Sequence, residues 1–136
     1  INKYDLVVRF NECYNMNKND KIDILFYRKN PKPESYNQKV IKRISEGHPN
    51  LQTFILYNED INEYLKPHKI DYPRYKWSSG IAGITIIEKH FPNATIDLFG
   101  FNWYESWKHH SMKNEKNIIT KDIKINHIYQ PRQGFH

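Results

Sequence analysis

The sequence predicts an α/β fold, a Rossmann-like three-layer sandwich with a largely parallel sheet. Short segments rich in β-branched and aromatic residues, typical of buried strands, alternate along the chain with longer segments typical of helices. The chain has 136 residues, of which 38% are hydrophobic. This length is typical of one domain, and the composition is sufficient for a core. We therefore predict a single domain over residues 1–136.

Four segments have the composition of buried strands. Each is short and dominated by Val, Ile, Leu and aromatic residues, which favour the extended conformation. They cover residues 4–10, 21–27, 51–57 and 95–101.

The segments between these strands predict helices. Residues 35–47 place Val40, Ile41 and Ile44 on one helical face, and Gly47 is a typical stop. Residues 79–90 form an apolar helix that ends before Phe91-Pro92. Two further helices are expected, and two segments are expected to be irregular: helices over 58–66 and 111–119, a loop over 67–77 and a tail over 125–136.

Charge and composition limit the class of partner. The net charge is +6, which favours anionic partners. The lysines are scattered rather than clustered, so a solvated basic face is favoured over a nucleic-acid groove. Cys13 is the only cysteine, which excludes an internal disulfide and a cysteine zinc site and fits a reducing compartment.

The hydropathy pattern predicts no membrane-spanning helix. The sequence contains no apolar run of about 18 residues, the length that crosses a bilayer, and no secretory signal is recognisable. We therefore expect the protein in the cytoplasm or at the periphery of a membrane.

The turn Ser78-Ser79-Gly80 precedes the apolar helix. A helix leaves its first N–H groups unpaired and carries a partial positive charge at that end. Ser78 can cap these donors by itself. Alternatively, Gly80 gives the backbone room to approach a phosphate. The turn alone leaves both interpretations open.

Other polar residues follow the predicted strands. Asn11 stands at the end of the strand over 4–10, and the aromatic and histidine cluster 102–110 follows the strand over 95–101. Ligands of parallel α/β sheets bind beyond the carboxyl ends of the strands. A shared site therefore requires this cluster and the turn before residue 81 to lie at that edge. Two interpretations of this strand end remain open. Arg9 could hold an ion pair in the core, or Asn11 could contact a ligand at the carboxyl end of the strand.

Taken together, these stretches resemble the sialyltransferases of glycosyltransferase family 29. Asp5 to Asn11 is similar to the end of the family's long motif, "D-hydrophobic-V-R-hydrophobic-N". The family's short motif has a Ser-Thr-Gly turn, an apolar helix and a strand that ends Tyr-Gly-Phe. The matching residues are Ser78-Ser79-Gly80, the helix 81–90, and Leu98-Phe99-Gly100-Phe101.

The resemblance continues to the end of the chain. The family has an aromatic-flanked pair of histidines and then a final histidine, which correspond here to Trp107, His109, His110 and His127. The matching parts are residues 3–30 and 75–128. The smaller bacterial family 42 of sialyltransferases is a second candidate relative, since its "Arg-x-Thr-Ser-Gly" stretch is similar to Arg74–Gly80.

The chain departs from the family pattern in three places. The family's long motif begins with a strand and a Gly-Asn-Ser-like loop that holds the nucleotide, so we expect this chain to be a fragment that starts after them. Animal members join their two motifs by a disulfide, and Cys13 has no partner. The family has a Glu five residues after the last histidine, where this chain has Arg132.

The resemblance implies a transferase of glycan biosynthesis. It implies inverting, metal-independent transfer of a sugar, expected to be sialic acid, from a CMP-activated donor to a glycan hydroxyl. His127 is the expected base, because an imidazole titrates near ambient pH. His110 is expected to stabilise the departing phosphate. The residues expected to bind the donor are Asn11, Ser78, Ser79, Gly80, Gly100 and Phe101.

We predict no metal, no separate cofactor and no nucleic-acid partner. Two alternatives remain open from the sequence. One is a catalytically weak nucleotide- or glycan-binding domain of the same fold, which Arg132 favours. The other is a basic α/β domain that binds nucleic acid, which only the net charge favours.

Overall fold

A computed structural model of the protein describes residues 3–14, 16–29, 31–57, 79–99 and 125–129. Contacts divide the chain into two compact units, Ile1–Tyr57 and Asn58–His136. The single domain over 1–136 stays a prediction. The predicted helices over 58–66 and 111–119 and the loop over 67–77 lie outside the described residues.

The first unit is built on a parallel sheet of three strands, β1 (Val8–Phe10), β2 (Ile24–Arg28) and β3 (Gln52–Leu56), in the order β1-β2-β3. Helix α1 (Glu34–Ser45) connects β2 to β3, as a crossover between parallel strands requires. The α/β class and the parallel pairing are thereby confirmed for this unit.

The core of this unit lies between β2 and α1. Leu25 and Tyr27 of β2 pack against Val40 and Ile44 of α1, and all four side chains are buried. The tyrosine hydroxyl is not left unpaired there, because it donates a hydrogen bond of 2.7 Å to Oδ1 of buried Asn37. This bond joins the central strand to the first turns of the helix.

The opposite face of the sheet carries a row of phenylalanines. Phe10, Phe26 and Phe54 lie in register on the three strands. Their neighbouring ring centroids are 5.7 and 5.6 Å apart. Such cross-strand aromatic pairs stabilise the alignment of the strands.

Strands β1 and β2 begin later than predicted, because the Asp23 side chain takes a backbone N–H that would otherwise pair between the strands. Its carboxylate accepts the N–H of Val7 at 2.7 Å, and its own N–H donates to the Val7 carbonyl at 2.9 Å. Helix α1 ends close to the predicted position. Gly47 has a φ of +79°, the left-handed conformation that terminates helices.

The second unit contains helix α2 (Ser79–His90) and two parallel strands, β4 (Ile96–Phe99) and β5 (Ile125–Tyr129). The bounds predicted for the helix, 79–90, are confirmed. The prediction that the whole tail over 125–136 is irregular is wrong for 125–129, which pair with β4. Two isoleucines and a tyrosine among these five residues fit a strand, but the sequence does not display the neighbouring strand that orders them.

The predicted α/β fold with parallel strands is confirmed. The Rossmann-like three-layer sandwich stays a prediction. Among the described residues, the strands form one sheet of three and another of two, and α1 covers one face of the larger sheet. No helix in the described ranges is both long and apolar enough to cross a membrane.

The bond between Tyr27 and Asn37 yields a test of the core. Asn37→Ala should lower the free energy of unfolding by about 1–3 kcal/mol, because it leaves a buried hydroxyl without its acceptor. The double variant with Tyr27→Phe should lose less than the sum of the single losses. Urea unfolding measures both, with exposed Gln38→Ala as control. Strictly additive losses would mean that the two groups do not interact.

Candidate functional site

The structure describes half of the residues predicted for the site. Asn11, Ser79 and Gly80 are described in full, and the backbone of His127 is placed in β5. The remaining predicted residues lie outside the described residues: Ser78, Gly100, Phe101 and His110. Their roles in donor binding and phosphate stabilisation stay predictions.

Asn11 lies directly beyond β1, at the carboxyl edge of the first sheet. Its N–H donates to the Phe26 carbonyl at 2.9 Å, and its side-chain Oδ1 accepts the N–H of Arg28 at 3.0 Å. The side chain therefore acts as one more carbonyl and extends the pairing of β1 with β2. Asn11 has a φ of 60°, which Asn tolerates better than most residues. These contacts give it a structural role, and donor binding stays a prediction.

Cys13 follows at the same edge with a φ of 52°. Its thiol lies 3.5 Å from the Phe10 carbonyl and 3.6 Å from the Asn11 carbonyl. Burial raises the pKa of Cys13, which keeps the sulfur protonated and unreactive at neutral pH. Since Cys13 also packs against the core of the first unit, it contributes to packing rather than to nucleophilic chemistry.

Helix α2 begins in a buried environment. Ser79 is 7% exposed, Gly80 is half-buried, and the following six residues, 81–86, are buried. A helix that is apolar on all sides is typical of a protein interior. Its first N–H groups need partners other than bulk water. A serine cap and a bound anion would each meet that need. The turn therefore remains compatible with a helix cap and with a phosphate site.

Strands β4 and β5 bring the backbone of Asp97 to the position beside the predicted base. Asp97 of β4 is in register with His127 of β5, and a bulge in the pairing falls between Ile96 and Asp97. Asn126 donates from Nδ2 to the Asp97 carboxylate at 2.9 Å. Residues in register on neighbouring strands stand side by side on the sheet. The backbone thus places Asp97 next to His127.

The sequence alone does not single out Asp97, which lies inside the predicted strand over 95–101. One signal was present, because a carboxylate within "TIDLF" is unusual for an apolar strand. The carboxylate gains a candidate role only through the neighbouring strand β5, about thirty residues later in the chain. The sequence predicts an irregular tail there.

A shallow depression of about 230 Å³ lies at the amino-terminal edge of the first sheet, lined by residues 21–23 and 47–51. Within the described part of the chain, His48 Nε2 is buried there without a hydrogen-bond partner. Ligands of parallel sheets usually bind at the other edge. No group of three or more His, Cys, Asp or Glu side chains in the described ranges is placed to hold a metal ion.

Comparison of the chain with protein-family models, with curated proteins and with solved structures finds no match. The resemblance to sialyltransferases therefore rests on the order and spacing of the motifs in the sequence.

The contacts of Asn11 yield a second test. Asn11→Ala should destabilise the protein by about 1–3 kcal/mol, since it removes an acceptor and places an alanine at positive φ. Asn11→Gly should cost less, because glycine accepts that φ. Thermal and urea unfolding compare the two variants. Equal stability of all three proteins would contradict the structural role and leave ligand binding as the reason for this residue.

Proposed function

We propose that the protein is a glycosyltransferase of the sialyltransferase type. It transfers a sugar, sialic acid by the resemblance, from a CMP-activated donor to a hydroxyl of a glycan, with inversion and without a metal. The observation that carries this proposal is the register of Asp97 with His127, because an acidic residue then occupies the strand position beside the expected base.

In this mechanism His127 removes the proton of the acceptor hydroxyl. The freed oxygen attacks the anomeric carbon of the donor sugar while the bond from that carbon to the CMP phosphate breaks. The leaving group is CMP, so negative charge grows on its phosphate as the bond lengthens. A general base of this kind contributes about 10²–10⁴-fold to the rate.

Asp97 takes the place of the carboxylate that this chain lacks at Arg132. A carboxylate next to an imidazole holds the ring in one tautomer and favours its protonated form. Asn126 fixes that carboxylate through its hydrogen bond of 2.9 Å. The proton taken from the acceptor is thereby stabilised on His127 until it is released to solvent.

The departing phosphate is stabilised at the start of α2. The N–H groups of Ser79 and Gly80, in the first turn, have no partner within the helix and point along its axis, and their partial positive charge suits an oxyanion. The burial of Ser79 strengthens this interaction, because fewer water molecules compete for it. His110 and Ser78 add further donors, and Gly100 and Phe101 contribute to holding the nucleotide.

The alternative is a nucleotide- or glycan-binding domain of the same fold that does not turn over the donor. The replacement of the family's Glu by Arg132 favours it. The nucleotide-binding form of this alternative differs from the enzyme in one readout, since both bind CMP and only the enzyme cleaves the donor.

Loss of the base yields a third prediction. Donor hydrolysis by the chain should fall about 100-fold or more in His127→Ala. His90→Ala, which removes an exposed histidine in the last turn of α2, should leave the rate unchanged. Protection of the protein by CMP against heat is measured in parallel. Protection without hydrolysis would favour the binding domain, and no protection at millimolar CMP would overturn both functions.

Removal of the neighbouring carboxylate yields a fourth prediction. Asp97→Asn should lower kcat and move the acidic limb of the pH–rate profile to lower pH. The direction follows because loss of the negative charge lowers the pKa of the adjacent imidazole. Asp97→Glu should retain part of the rate. A profile that falls in height but does not move would mean that Asp97 only supports the strand.

A further inference from the structure

Four side chains of the first unit form an exposed cluster, here called the phenol–cation patch: Tyr14, Lys32, Tyr36 and Arg43. The hydroxyl oxygens of Tyr14 and Tyr36 are 3.2 Å apart. The Lys32 ammonium lies 4.5 Å from the Tyr36 ring centroid. The Arg43 guanidinium lies 5.7 Å from the Tyr14 ring centroid.

The patch is held in place by the fold. Tyr36 and Arg43 are seven residues apart on α1, which puts them on the same face two turns apart. Arg43 also donates a hydrogen bond to the Glu12 carbonyl, which ties the helix to the loop after β1. Cys13, next to Tyr14, packs against the core. A ligand would therefore meet groups that are already ordered, which lowers the entropic cost of binding.

The position of Tyr14 is not explained by packing. Its side chain is 73% exposed, yet a hydroxyl and a guanidinium fix its ring. The hydrogen bond to Tyr36 raises the pKa of Tyr14, so the phenol stays protonated at neutral pH. Two phenol hydroxyls that share one hydrogen bond keep one hydrogen for an outside acceptor.

The chemistry of the patch selects its ligand. An ammonium, a guanidinium and the outward hydroxyl hydrogen are all donors, which fit carboxylate or other oxyanion groups. A cation lies over one face of each ring, which reduces the ring surface open to the base stacking that single-stranded nucleic acid uses. We propose that the phenol–cation patch binds acidic oligosaccharides. The choice of a glycan as the carrier of the anionic groups rests on the proposed function.

The test is calorimetric titration of the full chain with a linear tetramer of sialic acid. Tyr14→Phe and Lys32→Gln should each weaken binding about tenfold, the effect of one lost hydrogen bond or charge contact to an anion. Both residues are exposed, so the fold does not depend on them, and thermal unfolding checks this. Lys3→Gln is the matched control, because it removes the same charge from another lysine near a tyrosine, Tyr4, and should bind normally.

Three results would overturn the proposal: equal binding by the patch variants and the unaltered chain, equal binding of a neutral N-acetylglucosamine tetramer, or tighter binding of a single-stranded oligonucleotide of the same charge. Protection by CMP is measured on the same variants and should be unaffected. If the unaltered chain does not bind the sialic acid tetramer but is protected by CMP, the patch proposal alone is refuted. Acidic binding without donor hydrolysis would refute the transferase alone.

Discussion

The pairing of β2 with a parallel strand on each side determines most of the first unit. Parallel neighbours cannot be joined by a tight turn, so the chain must leave the sheet and return through a crossover. Helix α1 makes one of these crossovers and covers Leu25 and Tyr27. The phenylalanines of the other face hold the register. Because α1 covers Tyr27, the phenol hydroxyl of this residue needs a hydrogen-bond partner inside the protein. Asn37 provides the acceptor.

The same parallel arrangement determines where chemistry is placed. Each strand of the first sheet delivers its carboxyl end to one edge, where Asn11 and the loop that carries Tyr14 follow β1. In the second unit, the pairing of β4 with β5 brings Asp97 beside His127, although thirty positions separate them. In both units, residues that are distant in the chain become neighbours through strand pairing.

Sequence patterns predicted the elements that depend on local composition. The helix over 79–90 was predicted because its apolar run lies between the Ser78-Ser79-Gly80 turn and Pro92, and the end of α1 because Gly47 tolerates positive φ. Strand starts were less accurate, since the carboxylate of Asp23 competes for backbone N–H groups. The pairing of β5, the carbonyl-like role of Asn11 and the position of Asp97 all depend on partners that are remote in sequence, so composition did not reveal them.

The most direct test of the account is a titration of the isotope-labelled full chain with CMP, followed through the amide resonances. The account predicts saturable shifts at the Gly80 amide, where the phosphate should lie at the start of α2, and smaller ones at Asp97 and His127. The amide of Gly47, at the amino-terminal edge of the first sheet, should not move. Shifts confined to Gly47 and its neighbours, or none at all at millimolar CMP, would contradict it.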